Sequence, residues 1–293
     1  MVLLVTGGTG FLGAHVIAAL EAGGHSPIAY DVAPPSSELL SVAPSLSSRF
    51  RAGQIGDLAR LFEVCRAETI DAIVHAAGLV GLEPSLAQPL AFYQTNVMGL
   101  VHACEVARQL KLRKLVAISS NAAYHAGTGD MLRETDPPFS VTAGNPAAHY
   151  GTSKMAGEAI GMAYASFQEL DFIALRVTAI YGFGMRQAMY IKPMVENAVR
   201  GLPAGEQRVL NVSAGRARTA SEVAAAVRRV IPGADIEIGD ALTPLEAGNV
   251  KMRAPLDISA ARRVLGWSPQ WSLEDGIRDY AERYRQYLAT REE

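Results

Sequence analysis

The chain has 293 residues, of which 49% are hydrophobic and 19% are charged, and its formal net charge is −2. This length allows two compact units or one large α/β domain, and the apolar content excludes a disordered chain. The near-neutral charge gives no reason to expect nucleic acid or an anionic membrane as a partner. No apolar run approaches the roughly 18 residues of a membrane-spanning helix. The N-terminus has no basic leader, so we expect a cytoplasmic protein.

Short β-branched runs alternate with longer helical patterns in the first part of the chain. The runs that predict strands are Val2–Thr6, Ser26–Tyr30, Ala72–His75, Lys114–Ser119 and Phe172–Val177. The segments that predict helices are Phe11–Glu21, Leu58–Arg66, Pro89–Leu110 and Tyr150–Leu170. This alternation predicts an α/β fold, a doubly wound parallel sheet of the Rossmann type with helices on both faces.

The pattern changes after residue 182, where Pro and Gly breaks surround two helices, Ala220–Val230 and Leu273–Leu288. We therefore expect a sheet domain over residues 1–182 and a smaller, partly interleaved substrate-binding lobe over residues 183–293. Open α/β sheets bind ligands at the carboxyl ends of their strands, and the lobe would lie there. The two cysteines, Cys65 and Cys104, stand in apolar helical patterns, which predicts buried free thiols and no metal site.

A glycine-rich turn, TGGTGFLG over residues 6–13, ends the first strand and opens the first helix. Its glycines let the backbone turn tightly and approach a pyrophosphate, whose charge rests on the N-terminal end of the helix. The residues that we expect to contact this cofactor are Gly7, Gly10, Phe11, Leu12 and Gly13. Asp31 at the end of the second strand can accept hydrogen bonds from ribose hydroxyls and repel a 2′-phosphate, so the predicted cofactor is NAD rather than NADP.

Two further segments belong to the predicted NAD site. Asp57 begins the third helix, where its side chain can cap the backbone and also contact the edge of the adenine ring. Small residues in the segment HAAG would let the backbone lie against the cofactor, and they are Ala76, Ala77 and Gly78. We interpret His75, which opens this segment, as a packed histidine rather than a catalytic one.

Tyr150 and Lys154 are four residues apart, so they share one face of a helix. A cation one turn away, together with a positive nicotinamide, would favour the phenolate and bring the tyrosine toward the working range of a base. The pair opens the helix that follows the strand ending in Ser119 and Ser120. A hydroxyl at that place can donate to the substrate oxygen that Tyr150 deprotonates; the alternative is that the two serines only terminate the strand.

These motifs together resemble the extended short-chain dehydrogenases/reductases, in the NAD-dependent epimerase/dehydratase group that includes the UDP-galactose 4-epimerases. The matching segments are TGGTGFLG (6–13), Asp31, HAAG (75–78), TNVMG (95–99), SSNAAY (119–124), YGTSK (150–154), LRVTAIYG (175–182) and LGWSPQWSLEDGIRDY (265–280). The resemblance implies that Ser120 is the catalytic hydroxyl, Tyr150 the acid and base, and Lys154 a contact to the nicotinamide ribose. It also implies that Asn96 supports the active site from its helix.

Three departures from this family pattern concern the reaction or the substrate. Asn121-Ala122 replaces the Asp-Glu pair of dehydratases, so we discount dehydration. Ala179 replaces an asparagine that contacts the sugar diphosphate in the epimerases. Only residues 204–208 stand where relatives carry a strand, a helix and a phosphate-binding arginine, so the chain is short by a few dozen residues there. Arg186 is the remaining candidate for an anion contact.

The leading hypothesis is an NAD-dependent sugar or nucleotide-sugar epimerase, which oxidises its substrate transiently to a ketone and returns the hydride to the opposite face. The alternative is an NAD-dependent dehydrogenase or reductase of a smaller hydroxy or keto compound, such as a sugar acid. The expected substrate contacts are Ser120, Asn121, Tyr150, Ala179 and Arg186. In this family the helices Pro89–Leu110 and Tyr150–Leu170 pair with their copies, so the resemblance also implies a homodimer.

Overall fold

The computed structural model describes residues 1–124, 130–137, 147–178, 183, 207–239 and 254–291. Its centre is a sheet of seven parallel strands in the order β3-β2-β1-β4-β5-β6-β7. The strands are β1 (Val2–Thr6), β2 (Ser26–Asp31), β3 (Phe50–Ala52), β4 (Ala72–His75), β5 (Lys114–Ser120), β6 (Phe172–Val177) and β7 (Val209–Val212). This arrangement confirms the predicted doubly wound α/β fold.

The helices cover both faces of the sheet. They are α1 (Phe11–Ala22), α2 (Ser37–Val42), α3 (Leu46–Arg49), α4 (Leu58–Ala67), α5 (Leu82–Ala87), α6 (Pro89–Phe92), α7 (Gly99–Gln109), α8 (Ala148–Phe167), α9 (Ala220–Val230), α10 (Ser259–Leu265) and α11 (Leu273–Ala289). A π-helix, Tyr93–Met98, joins α6 to α7, and a 3₁₀ turn, Asn121–Ala123, follows β5. The segment predicted as one helix over Pro89–Leu110 is therefore three consecutive helical pieces.

The sequence patterns missed the two outermost strands of the sheet. β3 has three residues and β7 has four, which is too short for a β-branched run to stand out from a loop. β7 lies beyond the predicted domain boundary at residue 182, yet it pairs with β6 through Ala174 and Val209. The division into residues 1–182 and 183–293 stays a prediction.

Two apolar layers hold the helices against the sheet. One layer packs α1 against residues of α10 and α11, including Leu265 and Tyr287, and the other packs α4 and α7 against the opposite face. Phe183 belongs to the first layer and contacts the ring of Tyr287 at a centroid distance of 5.6 Å. The C-terminal helix is thus part of the same core as the sheet.

Cys65 and Cys104 are buried and free, as expected. Within the described ranges, no helix is both long enough and apolar enough to cross a membrane.

Candidate active site at the carboxyl edge of the sheet

The predicted site residues follow the carboxyl ends of neighbouring strands. Thr6 at the end of β1 pairs with His75 at the end of β4, and His75 pairs with Ala117 of β5. The chain leaves β1 toward β2 on one side, while β4 and β5 lie on the other, so the strand order changes direction here. Such a switch point opens a crevice in which α/β sheets bind their ligands.

The glycine turn after β1 is packed so tightly that side chains do not fit. Gly7 has φ +68°, and a Cβ there would lie 2.7 Å from the backbone nitrogen of Ala77. A Cβ on Gly13 would lie 2.0 Å from the carbonyl oxygen of Gly7. Helix α1 begins directly after Gly10, with Phe11 and Leu12 in its first turn. This cradle of bare backbone at a helix N-terminus suits the pyrophosphate of a dinucleotide.

Asp31 lies at the same edge, at the end of β2. Its Oδ2 accepts a hydrogen bond from the Thr9 backbone nitrogen at 3.1 Å, and its Oδ1 accepts one from Val32 at 2.7 Å. These bonds fix the carboxylate beside the glycine turn, and each oxygen keeps a lone pair for a ribose hydroxyl. Asp57 caps α4 by accepting from the Arg60 backbone nitrogen at 2.9 Å and is exposed, so its predicted adenine contact remains sterically open.

His75 is buried under the strand ends. Its Nδ1 lies 2.9 Å from Thr6 Oγ1, and the same hydroxyl accepts from the Ala77 backbone nitrogen at 3.3 Å. Burial lowers the pKa of His75 to about 3, and the positive charge of Lys154 acts in the same direction. A neutral, packed histidine therefore supports the loop that carries Ala76, Ala77 and Gly78.

Tyr150 and Ser120 meet where α8 begins and β5 ends. Burial raises the pKa of the Tyr150 phenol, and a side-chain hydrogen bond with Ser120 lowers it. Ser120 also accepts from the Ala122 backbone nitrogen at 3.1 Å, so the 3₁₀ turn after β5 fixes its hydroxyl. Among these protein groups, burial outweighs the influences that favour the phenolate. The stabilisation expected from Lys154 and a nicotinamide stays a prediction.

Lys154 extends from α8 toward the end of β5. Its Nζ donates to the Ile118 carbonyl at 2.9 Å. Burial lowers the pKa of Lys154 to about 8, while the negative charge of Glu158 acts in the opposite direction. The ammonium is thus protonated at neutral pH but closer to losing its proton than an exposed lysine.

Asn96 connects three parts of the site from the π-helix. Its amide exchanges two hydrogen bonds with Leu79, accepting from the nitrogen at 2.7 Å and donating to the oxygen at 3.0 Å. It also donates to Ser153 Oγ at 2.9 Å, and Ser153 donates to the Tyr150 carbonyl at 2.7 Å. A Cβ on Gly78 would lie 3.1 Å from Asn96 Oδ1 and 3.4 Å from Lys154 Nζ. The bare backbone at Gly78 thus lets these groups converge.

The two serines at the end of β5 have different partners. Ser119 Oγ donates to Glu158 Oε1 at 2.5 Å, whereas Ser120 Oγ donates to Asn121 Oδ1 at 3.4 Å. Glu158 in turn forms a buried salt bridge with Arg176 at 2.7 Å. Sequence reasoning missed Ser153, Glu158 and Arg176. The signal for the last two was a charged residue inside an otherwise apolar helix and strand, which is uncommon unless the charges are paired.

The predicted substrate contacts are only partly described. Asn121 begins the 3₁₀ turn beside Ser120, while Ala179 and Arg186 lie outside the described residues, as do residues 204–206 of the short segment. Arg208 of that segment donates to Asp171 at 2.8 Å and to the Phe172 carbonyl at 3.0 Å. Phe172 opens β6 at the amino edge of the sheet, so Arg208 is remote from the site.

Comparisons with known proteins identify relatives of this chain. The family model of the NAD-dependent epimerase/dehydratase family matches residues 3–227. The chain is 28% identical to the UDP-glucose 4-epimerase of Mycolicibacterium smegmatis over an alignment of 327 residues, which covers 96% of this chain and 98% of that protein. Because the alignment is longer than this chain of 293 residues, the relative carries residues that this chain lacks.

Solved structures share the fold at low sequence identity. A UDP-glucose 4-epimerase from Thermotoga maritima, solved with UDP-glucose, superposes with a TM-score of 0.79 at 22% identity, covering 98% of this chain and 100% of that one. The Thermus thermophilus UDP-glucose 4-epimerase in complex with NAD gives a TM-score of 0.76 at 24% identity, covering 97% and 99%. At these identities the superpositions establish the fold alone.

Proposed function

Because the chain belongs to the NAD-dependent epimerase/dehydratase family, we propose that it is an NAD-dependent epimerase of a sugar or nucleotide sugar. The reaction would oxidise one hydroxyl of the sugar to a ketone and return the hydride to the opposite face. NAD, when bound, supplies reversible hydride transfer. Gly7, Gly10 and Gly13 would hold its pyrophosphate, and Asp31 would hold its adenosine ribose.

The observation that carries this proposal is the convergence of α8 on the end of β5. Lys154 donates to the Ile118 carbonyl at 2.9 Å, and Tyr150, one helical turn before it, lies beside Ser120. Tyr150 takes the proton of the sugar hydroxyl at its phenol oxygen and later returns it to the ketone oxygen. Ser120 orients that oxygen through its own hydroxyl, while Lys154 adds positive charge beside the phenol. Catalysis then depends on positioning and on stabilised charge, both of which a rigid strand end and a helix can supply.

The test is turnover without added cofactor. Purified protein is incubated with UDP-glucose, UDP-galactose and free hexoses, and the products are separated by chromatography. We expect epimerised sugar with no net change in nicotinamide absorbance. NADH released in proportion to product, with no epimer formed, would contradict the epimerase and favour the second candidate.

The second candidate is an NAD-dependent dehydrogenase or reductase of a smaller hydroxy or keto compound, such as a sugar acid. It is favoured by Arg208, the described arginine of the short segment, which bonds with Asp171 at the opposite edge of the sheet. Among the described residues of the short segment, this arginine therefore offers the site no contact to a diphosphate, and fewer such contacts would suit a smaller substrate. Offering free sugar acids with NAD in the same assay separates the two candidates.

We also propose that the chain forms a homodimer through the faces of α7 and α8. Large apolar side chains are exposed next to these helices, and they include Leu90 at 67%, Met98 at 46% and Phe167 at 80%. Burying such residues against a second copy would be favourable. We expect a dimer mass in sedimentation, and we expect Met98→Glu to shift this mass toward that of the monomer.

A cytoplasmic location accords with the free thiols Cys65 and Cys104.

A further inference from the structure

Glu158 follows Lys154 by one helical turn, as Lys154 follows Tyr150, so the three share one face of α8. Glu158 is 6% exposed, which is rare for a carboxylate unless it is paired. Its Oε1 accepts from Ser119 Oγ at 2.5 Å. The acid is therefore attached to the strand that ends in the catalytic serine.

Arg176 holds Glu158 on both carboxylate oxygens. Its Nε lies 2.9 Å from Oε1 and 3.1 Å from Oε2, and its Nη2 lies 2.7 Å from Oε2. The guanidinium stacks 4.3 Å above the ring of Tyr124, whose hydroxyl donates to Asn211 at 2.7 Å. This stacking and the fork geometry fix the arginine more firmly than a single ion pair would.

Lys154 therefore lies one helical turn from the Glu158 carboxylate, which Ser119 and Arg176 already bind. Its ammonium donates to the Ile118 carbonyl instead, at 2.9 Å. The ionisable groups around it are Tyr150 and Glu158 on its own helix, His75 on β4 and Arg176 on β6. His75 is neutral near pH 7, because burial lowers its pKa to about 3. Glu158 is thus the negative charge that favours protonated Lys154.

We propose that Glu158 and Arg176 are positioning residues for Lys154. Glu158 keeps the ammonium of Lys154 protonated. Arg176 occupies both oxygens of the Glu158 carboxylate, so the ammonium stays directed toward the cofactor side of β5. We call the set of Lys154, Glu158 and Arg176 the carboxyl-edge triad. The inference rests on the proposed function, in which Lys154 contacts the bound cofactor. It adds two residues that act through Lys154 without touching the substrate.

The test measures the protonation of Lys154 directly. The protein as purified is acetylated with trace acetic anhydride across a pH series, and mass spectrometry quantifies each lysine. Exposed Lys111 is the internal reference. We expect Glu158→Gln, which keeps the shape and removes the charge, to move the acetylation midpoint of Lys154 down by about one pH unit or more. An unchanged or raised midpoint would overturn the proposal.

Asp171→Asn is the matched control. Asp171 forms salt bridges with Lys114 and Arg208 at the other edge of the sheet. We expect this substitution to leave the Lys154 midpoint unchanged, even if it lowers the melting temperature. A shift equal to that of Glu158→Gln would mean that Lys154 responds to general loosening of the fold, and the proposal would fail.

Arg176→Lys supplies an independent arm if Glu158→Gln does not fold. An ammonium keeps the charge but cannot cover both oxygens, so one oxygen of Glu158 becomes available to Lys154. We expect the Lys154 midpoint to rise and NAD to bind more weakly; an unchanged midpoint would count against the proposal. Because acetylation needs no substrate, a protein that epimerises none of the offered sugars would refute the proposed function and leave this result intact.

Discussion

Opposite edges of the same sheet each carry a lysine, a carboxylate and an arginine, connected in different ways. At the amino ends of the strands, Asp171 is shared between Lys114, at 2.7 Å, and Arg208, at 2.8 Å, and we call these three residues the amino-edge triad. In the carboxyl-edge triad, one arginine holds both oxygens of the acid and the lysine donates to a backbone carbonyl. A shared acid fixes its lysine in a salt bridge, whereas an acid held by arginine leaves its lysine free to contact a cofactor under the proposed function. The same three charge types thus differ in arrangement between the proposed active site and the opposite ends of the strands.

The largest expected effect tests whether chemistry belongs to the carboxyl edge. Tyr150→Phe removes the group that carries the proton, so we expect epimerase turnover to fall about 10²–10⁴-fold while NAD stays bound. Tyr164→Phe is the matched control in the same helix, since Tyr164 donates to Glu105 at 3.1 Å. Initial rates and bound nucleotide are measured for both. Full activity in Tyr150→Phe would remove the catalytic assignment.

The next effect compares the two arginines by stability. Arg176→Met removes the guanidinium that holds both oxygens of buried Glu158, which should cost about 3 kcal/mol of unfolding free energy even though Lys154 can then approach the freed oxygens. Arg208→Met leaves Asp171 with Lys114 and with 28% exposure, so we expect a loss of about 1 kcal/mol or less. Urea titrations give both values. Equal losses would show that burial does not distinguish the triads.

The adjacent serines provide a finer comparison inside the carboxyl edge. Ser120→Ala should lower turnover about 10–100-fold, because Tyr150 loses its hydroxyl partner at the substrate. Ser119→Ala should chiefly lower stability, by about 1–2 kcal/mol, because Glu158 loses a buried hydrogen bond. Rates and unfolding free energies are measured for each variant. The reverse pattern would exchange the roles of the two serines.

Counted per single pH unit, the last and smallest effect is the pH dependence of stability that His75 causes. Its pKa is about 3 in the folded chain, against an ordinary histidine value of 6.5, so only the unfolded chain takes up this proton as the pH falls below 6.5. Stability should therefore decrease by about 1.4 kcal/mol for each pH unit below 6.5, until the pH approaches 3. Urea unfolding at several pH values should show a shallower slope for His75→Asn than for His102→Gln. Parallel slopes would mean that His75 already binds a proton in the folded state.

The sequence predicted the parts of the site that depend on local backbone. A strand, a glycine turn and a helix in succession identify Gly7 and Gly13 because any side chain there meets the chain itself. Four-residue spacing places Tyr150 and Lys154 on one helix face, and their position after the strand that ends in Ser119 and Ser120 singled them out.

Partners distant in the chain could not be predicted in this way. Asn96 reaches Ser153, and Ser119 reaches Glu158, through contacts that exist only once α8 packs on the sheet. The periodicity of apolar residues predicts which face of a helix or strand is buried, but it does not predict which buried charged residues form a pair. Arg176 was therefore unusual in an apolar strand, yet its partner on α8 was not predictable from the sequence alone.

The π-helix at Tyr93–Met98 has a consequence for comparing and engineering chains of this kind. A π-turn accommodates one residue more than an α-turn. Deleting a single residue there would restore regular α-helix, keep the flanking helices in register and turn the side chains inside the segment to new directions. Asn96 would then lose its two hydrogen bonds to the backbone of Leu79, although the amino acids around it would be unchanged. A one-residue gap in this segment of an alignment is therefore a more informative marker of a lost site than many substitutions elsewhere.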